Sequence, residues 1–211
     1  MHIQDGVFPP TPTGIAVMGG AGVIAFAGAM IGIKHLDDER IPHVAVVSCA
    51  FFVASLIHLP IGPTSVHLIM NGLAGVLLGW CSFPALLIAL SLQLLFFGFG
   101  GVTTLGINTV NVAVPAVVCY YLFQKFIHND SRRIVFAAGF GVGFVAVFLS
   151  SILTAGSLLA AGREFTVIAS VLVLGHVPLM VAEGLVTGSV CVFLKKVKPE
   201  LLRHTEIIEE T

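Results

Sequence analysis

The stretch GIAVMGGAGVIAFAGAMIGI, Gly14 to Ile33, is twenty residues long and carries no charged side chain. As an α-helix rising about 1.5 Å per residue it would reach roughly 30 Å, the thickness of a bilayer's hydrocarbon core. Comparable runs recur along the 211-residue chain, which is 57% hydrophobic and 10% charged with a mean hydropathy of +1.04. Those values exclude a soluble domain of this length and predict an all-α polytopic membrane protein. Working outward from the first run, residues 1–13 form a polar lead with Pro9, Pro10 and Pro12, expected to be extended. The lead has no Lys or Arg, so it does not match the basic start of a cleavable signal peptide.

Downstream, the charged loop Lys34 to Arg40 precedes a second span over about 42–60, which Pro42 can open. Ile61 to Ser65 reads as a tight Gly-Pro loop. Further spans are expected near 67–79, 84–98, 103–124, 134–161 and 166–194, with Ser65 and Ser82 as caps of the third and fourth. The reading is thus a single transmembrane domain over residues 1–211, with about seven helices spanning 14–194 and a polar tail at 195–211. If the N-terminus is outside, the inner loops and tail hold Lys34, Arg40, Lys125, Arg132, Arg133, Lys195, Lys196, Lys198 and Arg203, and the outside holds only Arg163. That bias predicts an outer N-terminus and a cytoplasmic C-terminus. The net charge of −1 gives no electrostatic case for nucleic acid. Cys49, Cys81, Cys119 and Cys191 are scattered singly, which indicates neither a disulfide framework nor a thiolate metal site.

The chemistry concentrates at the start, Met1-His2-Ile3-Gln4-Asp5-Gly6. A free Met1 amine, the His2 amide and the His2 Nδ1 can close two fused chelate rings on one ion, and a further imidazole would complete a square of four nitrogens. Such a plane suits Ni(II) or Cu(II), whereas Zn(II) prefers a tetrahedron and Mg or Ca prefer oxygen. The alternative is a plain polar start to a membrane protein. With the N-terminus outside, His67 is the best-placed partner, in the expected first turn of the third span, where the helix dipole favours the neutral imidazole that ligates metal. Asn71, four residues on, and Asn108, about one and a half turns into the fifth span, are candidates to orient an imidazole or accept from the amine, or else hold helices together. Ser65 belongs to the same layer, and His58 is a candidate entry ligand or simply exposed.

Two ionisable groups fall inside the last span, His176 and Glu183. They are candidates for gating or coupling, set against a static helix contact. At seven residues apart they share a face but sit roughly 10 Å apart along the axis. Ala21, Ala25 and Ala29, with Gly28 and Gly32 beside them, form a small-residue stripe suited either to a partner's helix or to the chain's own bundle, and Gly139 and Gly143 admit the same two readings.

The stretches MHIQDGVFPP (1–10), PTSVHLIMNGLAGVLLG (63–79), FGFGGVTTLGINTVNVAVP (97–115) and GHVPLMVAEGLVTGSV (175–190) closely resemble the CbiM/NikM family. Its members are substrate-binding membrane subunits of energy-coupling-factor nickel and cobalt importers. The resemblance implies a seven-helix bundle into which the N-terminal segment is tucked. It implies that the Met1 amine, the His2 amide and imidazole, and the His67 imidazole bind transported Ni(II) or Co(II), with no permanent cofactor. It also implies a coupling transmembrane subunit, ATP-hydrolysing subunits and often a small accessory membrane subunit in a prokaryotic cell membrane. After Lys198 the chain has only a short polar tail, so an accessory subunit is expected to be separate. No G-x-x-x-x-G-K-[ST] phosphate loop occurs, so ATP hydrolysis is expected of the partners and no catalytic residue of this chain. Nickel is favoured over cobalt because a deprotonated amide in a square plane suits Ni(II). A stand-alone transporter using His176 and Glu183 remains the alternative. An intramembrane metalloenzyme, for which no H-E-x-x-H helix is present, and a retinal-type protein, for which no Lys lies in the seventh span, are disfavoured. The N-terminal segment is expected to be less ordered without metal.

Overall fold

A computed structural model of the chain describes residues 2–61 and 64–203, and of 58–61, 64–66 and 203 the backbone alone. The elements in order are α1 (Pro12–Lys34), α2 (Ile41–Ala54), β1 (His58–Ile61), β2 (Thr64–His67), α3 (Asn71–Leu78), α4 (Ser82–Phe97), α5 (Leu105–Ile127), α6 (Arg132–Ala161), α7 (Thr166–Gly175), α8 (Val177–Val197) and the short α9 (Glu200–Arg203). Pro12 sits in the first turn of α1, where its missing N–H costs nothing, and the Thr11 hydroxyl accepts from Gly14 N at 3.2 Å to cap that helix. The helix therefore starts two residues before the expected span.

Among the described residues, five helical segments are long and apolar enough to cross a membrane: 12–34, 71–97, 105–127, 132–161 and 163–197. The protein is a multi-pass membrane protein, and two of the seven expected spans do not stand as separate segments of that length. The second is α2, of only 14 residues, after which the backbones of 58–61 and 64–67 pair as an antiparallel hairpin. The third is α3, whose eight residues rise only about 12 Å. It begins at Asn71 rather than His67, so Ser65 is not its cap; Met70, in a left-handed conformation, occupies that position. Ser82 is likewise not a cap but the first residue of α4, and its hydroxyl donates back to the Gly79 carbonyl at 2.7 Å.

The last span is broken at His176. Pro178 has no N–H to offer the Leu174 carbonyl, and α7 gives way to α8 there.

The bundle centres on α6, which packs along α8 and α5. Its crossing with α8 is a backbone contact. A Cβ on Gly139 would lie 2.8 Å from the Gly188 Cα, one on Gly188 would lie 2.8 Å from the Phe136 carbonyl oxygen, and one on Gly143 would overlap the Glu183 carbonyl. Gly139 and Gly143 thus serve packing within the chain. The same holds for the stripe on α1. Ala21, Ala25 and Ala29 are buried in the chain's own bundle, with Phe83 against Gly28 and Pro84 against Gly32, so they are not left for a partner. The face α1 presents outward is instead lined by Ile15, Val23, Ile24 and Phe26, as a lipid-facing surface requires.

Candidate metal site

Residues 2–8 fold back onto the loop between α4 and α5. Ile3 is buried, and its peptide is gripped by a side chain acting as a neighbouring strand would. Ile3 N donates to Asn108 Oδ1 at 2.9 Å, and Asn108 Nδ2 donates back to the Ile3 carbonyl at 3.0 Å. The Thr104 hydroxyl donates to the same carbonyl at 2.7 Å. Phe8 is buried farther along, and the Ile3 and Phe8 side chains join the main apolar core. Asn108 therefore acts on the backbone of the segment that carries His2.

A second clamp holds Asp5. Val102 N and Thr103 N donate to its two carboxylate oxygens, each at 3.0 Å, and the Thr103 hydroxyl donates at 2.5 Å. The Thr103 hydroxyl, with the Thr103 and Val102 amides behind it, holds this carboxyl below the usual carboxylate range although the side chain is exposed. The clamp depends on Gly101, since a Cβ there would fall inside the Asp5 carboxylate. Its neighbour Gly100 adopts φ +80°, which favours glycine, and a Cβ on it would press on Asn108 Nδ2 at 3.0 Å. The sequence reading passed over Asp5, Thr103, Thr104 and Gly101, although all lie in stretches quoted for the family resemblance.

The segment delivers His2 beside His67. The two rings are 4.9 Å apart at their centroids and only 16° from parallel, and Phe99 also stacks on His2, at 5.6 Å and 20°. Phe99 continues into Phe97 and Phe52, a row of rings from the site to α2. Phe99 too was missed, and its signal is the aromatic-glycine alternation of Phe97 to Gly100. Burial, with the adjacent His67 ring adding to it, keeps the His2 imidazole well below its ordinary pKa, so it is neutral at neutral pH and competent to ligate. Its Nε2 is buried with no hydrogen-bond partner among the described residues.

His67 is buried at the end of β2, and the helix-dipole argument for its neutrality falls with the helix start. Its tautomer is set by another contact. The Leu68 carbonyl can only accept, so the Nδ1 at 3.0 Å from it carries the proton and the lone pair resides on Nε2. The hairpin register puts the His58 backbone opposite His67. Ser65, described by its backbone alone, lies opposite Pro60 in the same hairpin, and Met1 lies outside the described residues.

The remaining expected residues lie in the layer beneath. Asn71 Nδ2 donates to the Val112 carbonyl and to the Ser150 hydroxyl, both at 2.9 Å, tying α3 to α5 and α6. His176 and Glu183 are both buried but do not bond to each other. His176 Nδ1 donates to the Leu172 carbonyl at 2.6 Å, while Glu183 Oε1 accepts from the backbone N–H groups of Ile69 and Met70. Among the described residues, no group of three or more His, Cys, Asp or Glu side chains is placed to hold one ion.

Comparison with known proteins finds relatives along the whole chain. The family described as cobalt uptake substrate-specific transmembrane region (CbiM) matches residues 2–201. A putative metal transport protein of Haemophilus influenzae is 39% identical over 212 residues, covering 98% of each chain. A putative cobalt transport protein CbiM of Methanocaldococcus jannaschii is 33% identical, covering 100% of this chain and 94% of the relative. The fused nickel transport protein NikMN of Rhodobacter capsulatus is 34% identical, covering 96% of this chain and 64% of that longer protein. A crystal structure of a transition metal transporter superposes with a TM-score of 0.76 at 27% identity, over 97% of this chain and 96% of that one.

Proposed function

The chain belongs to the CbiM family, membrane components of cobalt and nickel uptake, and from that premise we propose that it is the metal-capturing subunit of an ATP-driven importer. Its substrate is Ni(II), held in a plane of four nitrogens from the Met1 amine, the His2 amide, the His2 Nδ1 and the His67 Nε2. The observation that carries the reading is the near-parallel pairing of His2 and His67. Metal–nitrogen bonds of about 2 Å put adjacent corners of a square about 2.8 Å apart and opposite corners about 4 Å apart, a span two rings so placed can meet. Deprotonation of the His2 amide lowers the charge of the complex to about +1, which eases its burial beside apolar Ile3 and Phe99. Co(II) in the same ligands is the second reading, favoured by the cobalt names of the family and of one relative.

With the N-terminus outside, the ion is captured from the external medium. The chain carries no phosphate loop, so the driving force comes from a coupling transmembrane subunit with ATP-hydrolysing subunits, joined by a small accessory membrane subunit.

Capture and closure are coupled through the N-terminal segment. Ordering the seven residues 2–8 costs on the order of 7–14 kcal/mol. Burying Ile3 and Phe8 returns about 3–6 kcal/mol, and the three bonds to the Ile3 peptide return roughly 1.5–4.5 kcal/mol. Docking alone is therefore balanced within a few kcal/mol, and metal coordination decides it.

The test is Ni(II) and Co(II) titration of the purified chain with its native N-terminus beside a version with a few residues added before Met1. Binding by the native chain with a yellow square-planar spectrum, lost in the extended one, is the expected outcome. Equal binding by both would move the site away from the amine and sink the four-nitrogen plane.

A further inference from the structure

We propose that Glu183 is a positioning residue for metal capture, acting on His67 through the backbone of Ile69 and Met70. The inference rests on His67 being a ligand, as proposed above. Glu183 lies on α8 and is 1% exposed, yet it meets no cation among the described residues, and its Oε1 is aimed at two peptide N–H groups 113 and 114 residues away in sequence.

Those two groups lie where the chain passes from the hairpin into α3. On the strand side, Leu68 N donates to the Ile57 carbonyl at 3.3 Å and closes the hairpin. On the helix side, Asn71 starts α3 and is bonded to α5 and α6. Between them the chain must reverse, and it does so at Met70, whose φ of +53° makes it the only described non-glycine residue with positive φ. A methionine in that conformation is strained and persists only where its surroundings hold it. Ile69 is fully buried, so its N–H has no access to water. One side-chain oxygen of Glu183 accepts from both donors.

The carboxylate itself is fixed by its backbone. The absence of a side chain at Gly143 brings α6 against the Glu183 carbonyl, so the residue that anchors the loop is seated where the backbones of α6 and α8 meet. The path from the α6–α8 crossing to the His67 imidazole is then Glu183, Ile69, Leu68, His67, with Nδ1 of His67 held by the Leu68 carbonyl. Loss of the carboxylate frees the reversal at Met70 and with it the direction of His67 Nε2.

The experiment uses the full chain in lipid nanodiscs, with Ni(II) titrated and its ligand-field spectrum recorded. Glu183→Ala is expected to weaken Ni(II) binding ten- to a hundredfold, as loss of a ligand's supporting partner does, to shift the band, and to speed hydrogen exchange at Ile69 and Met70. Glu183→Gln keeps a carbonyl that accepts both N–H groups and is expected to recover affinity to within about threefold and the wild-type band. Equal losses in the two variants would make the charge itself the working feature and overturn the proposal. Wild-type affinity in Glu183→Ala, with His67→Ala binding lost, would overturn it alone. A His67→Ala variant that binds as wild type does sinks the ligand assignment and this proposal together. Should Glu183→Ala not fold, Glu183→Gln decides: wild-type affinity with slow exchange at Ile69 and Met70 supports the proposal, and loss of either ends it.

Discussion

His67 and His2 meet ring to ring, yet the chain around each is fixed by different means. The His67 loop is closed on one side by the hairpin and on the other by a helix whose Asn71 reaches two neighbouring helices through buried hydrogen bonds. The His2 segment is held by the Asn108 fork, the Thr104 hydroxyl, two buried side chains, Ile3 and Phe8, and an exposed carboxylate clamp on a glycine-rich loop. The contrast teaches how a ligand set can be both rigid and open: one imidazole is built into the bundle and the other is delivered to it.

If the contrast is right, substitutions should separate the two ends. The largest effect is expected of His67→Ala, which removes a ligand and should cost more than the ten- to hundredfold typical of a supporting group; Ni(II) titration near wild-type affinity would break the comparison outright. Next comes Asn108→Ala. It removes the grip on the Ile3 peptide, and we expect a drop of about ten- to a hundredfold in Ni(II) affinity, with faster hydrogen exchange at Ile3 but not at Ile69.

Gly101→Ala should act through Asp5 alone, because the new methyl takes the place of the carboxylate. About tenfold weaker binding is expected, the lower end for a supporting contact, and an accompanying Asp5→Asn change should add little if the two share one clamp.

The smallest effect belongs to pH acting on the metal-free chain. Asp5 is held below its ordinary value in the docked state, so the released segment binds more protons in that window. The clamp's contribution is whole above about pH 4, the ordinary carboxylate range, and is lost as pH falls through the lowered value. Methyl resonances of Ile3 followed from neutral to acidic pH should report release of the segment there. A profile unchanged by Asp5→Asn would remove the carboxylate from the clamp.

Much of the candidate site is legible in the sequence, because the chemistry proposed for it is local. A histidine at position 2 carries its own chelate geometry, and apolar runs declare spans by length alone. What could not be read depended on residues distant in sequence. HLPIGPTSVH, 58–67, is apolar enough to pass for two helix ends, and only its two prolines hint at the hairpin. Met70 gives no local sign of a left-handed turn, so the expected third helix begins four residues before the observed one. Asp5 reads as one more polar residue until the loop at 101–103 folds over it. Glu183 could be picked out as a buried charge but not assigned its partners, since backbone N–H groups leave no trace in a sequence. The alanine stripe of α1 looked equally fit for two uses, and only the seating of Phe83 and Pro84 on its glycines decides for the interior.

The crossing of α6 and α8 at Gly143 has a mechanical consequence. Where two backbones touch without side chains between them, there is no cushion to absorb relative sliding. With such contacts at both Gly139–Gly188 and Gly143–Glu183, α6 and α8 are keyed together like a tongue in its groove, and the oxygen that receives the Ile69 and Met70 N–H groups is carried on that joint.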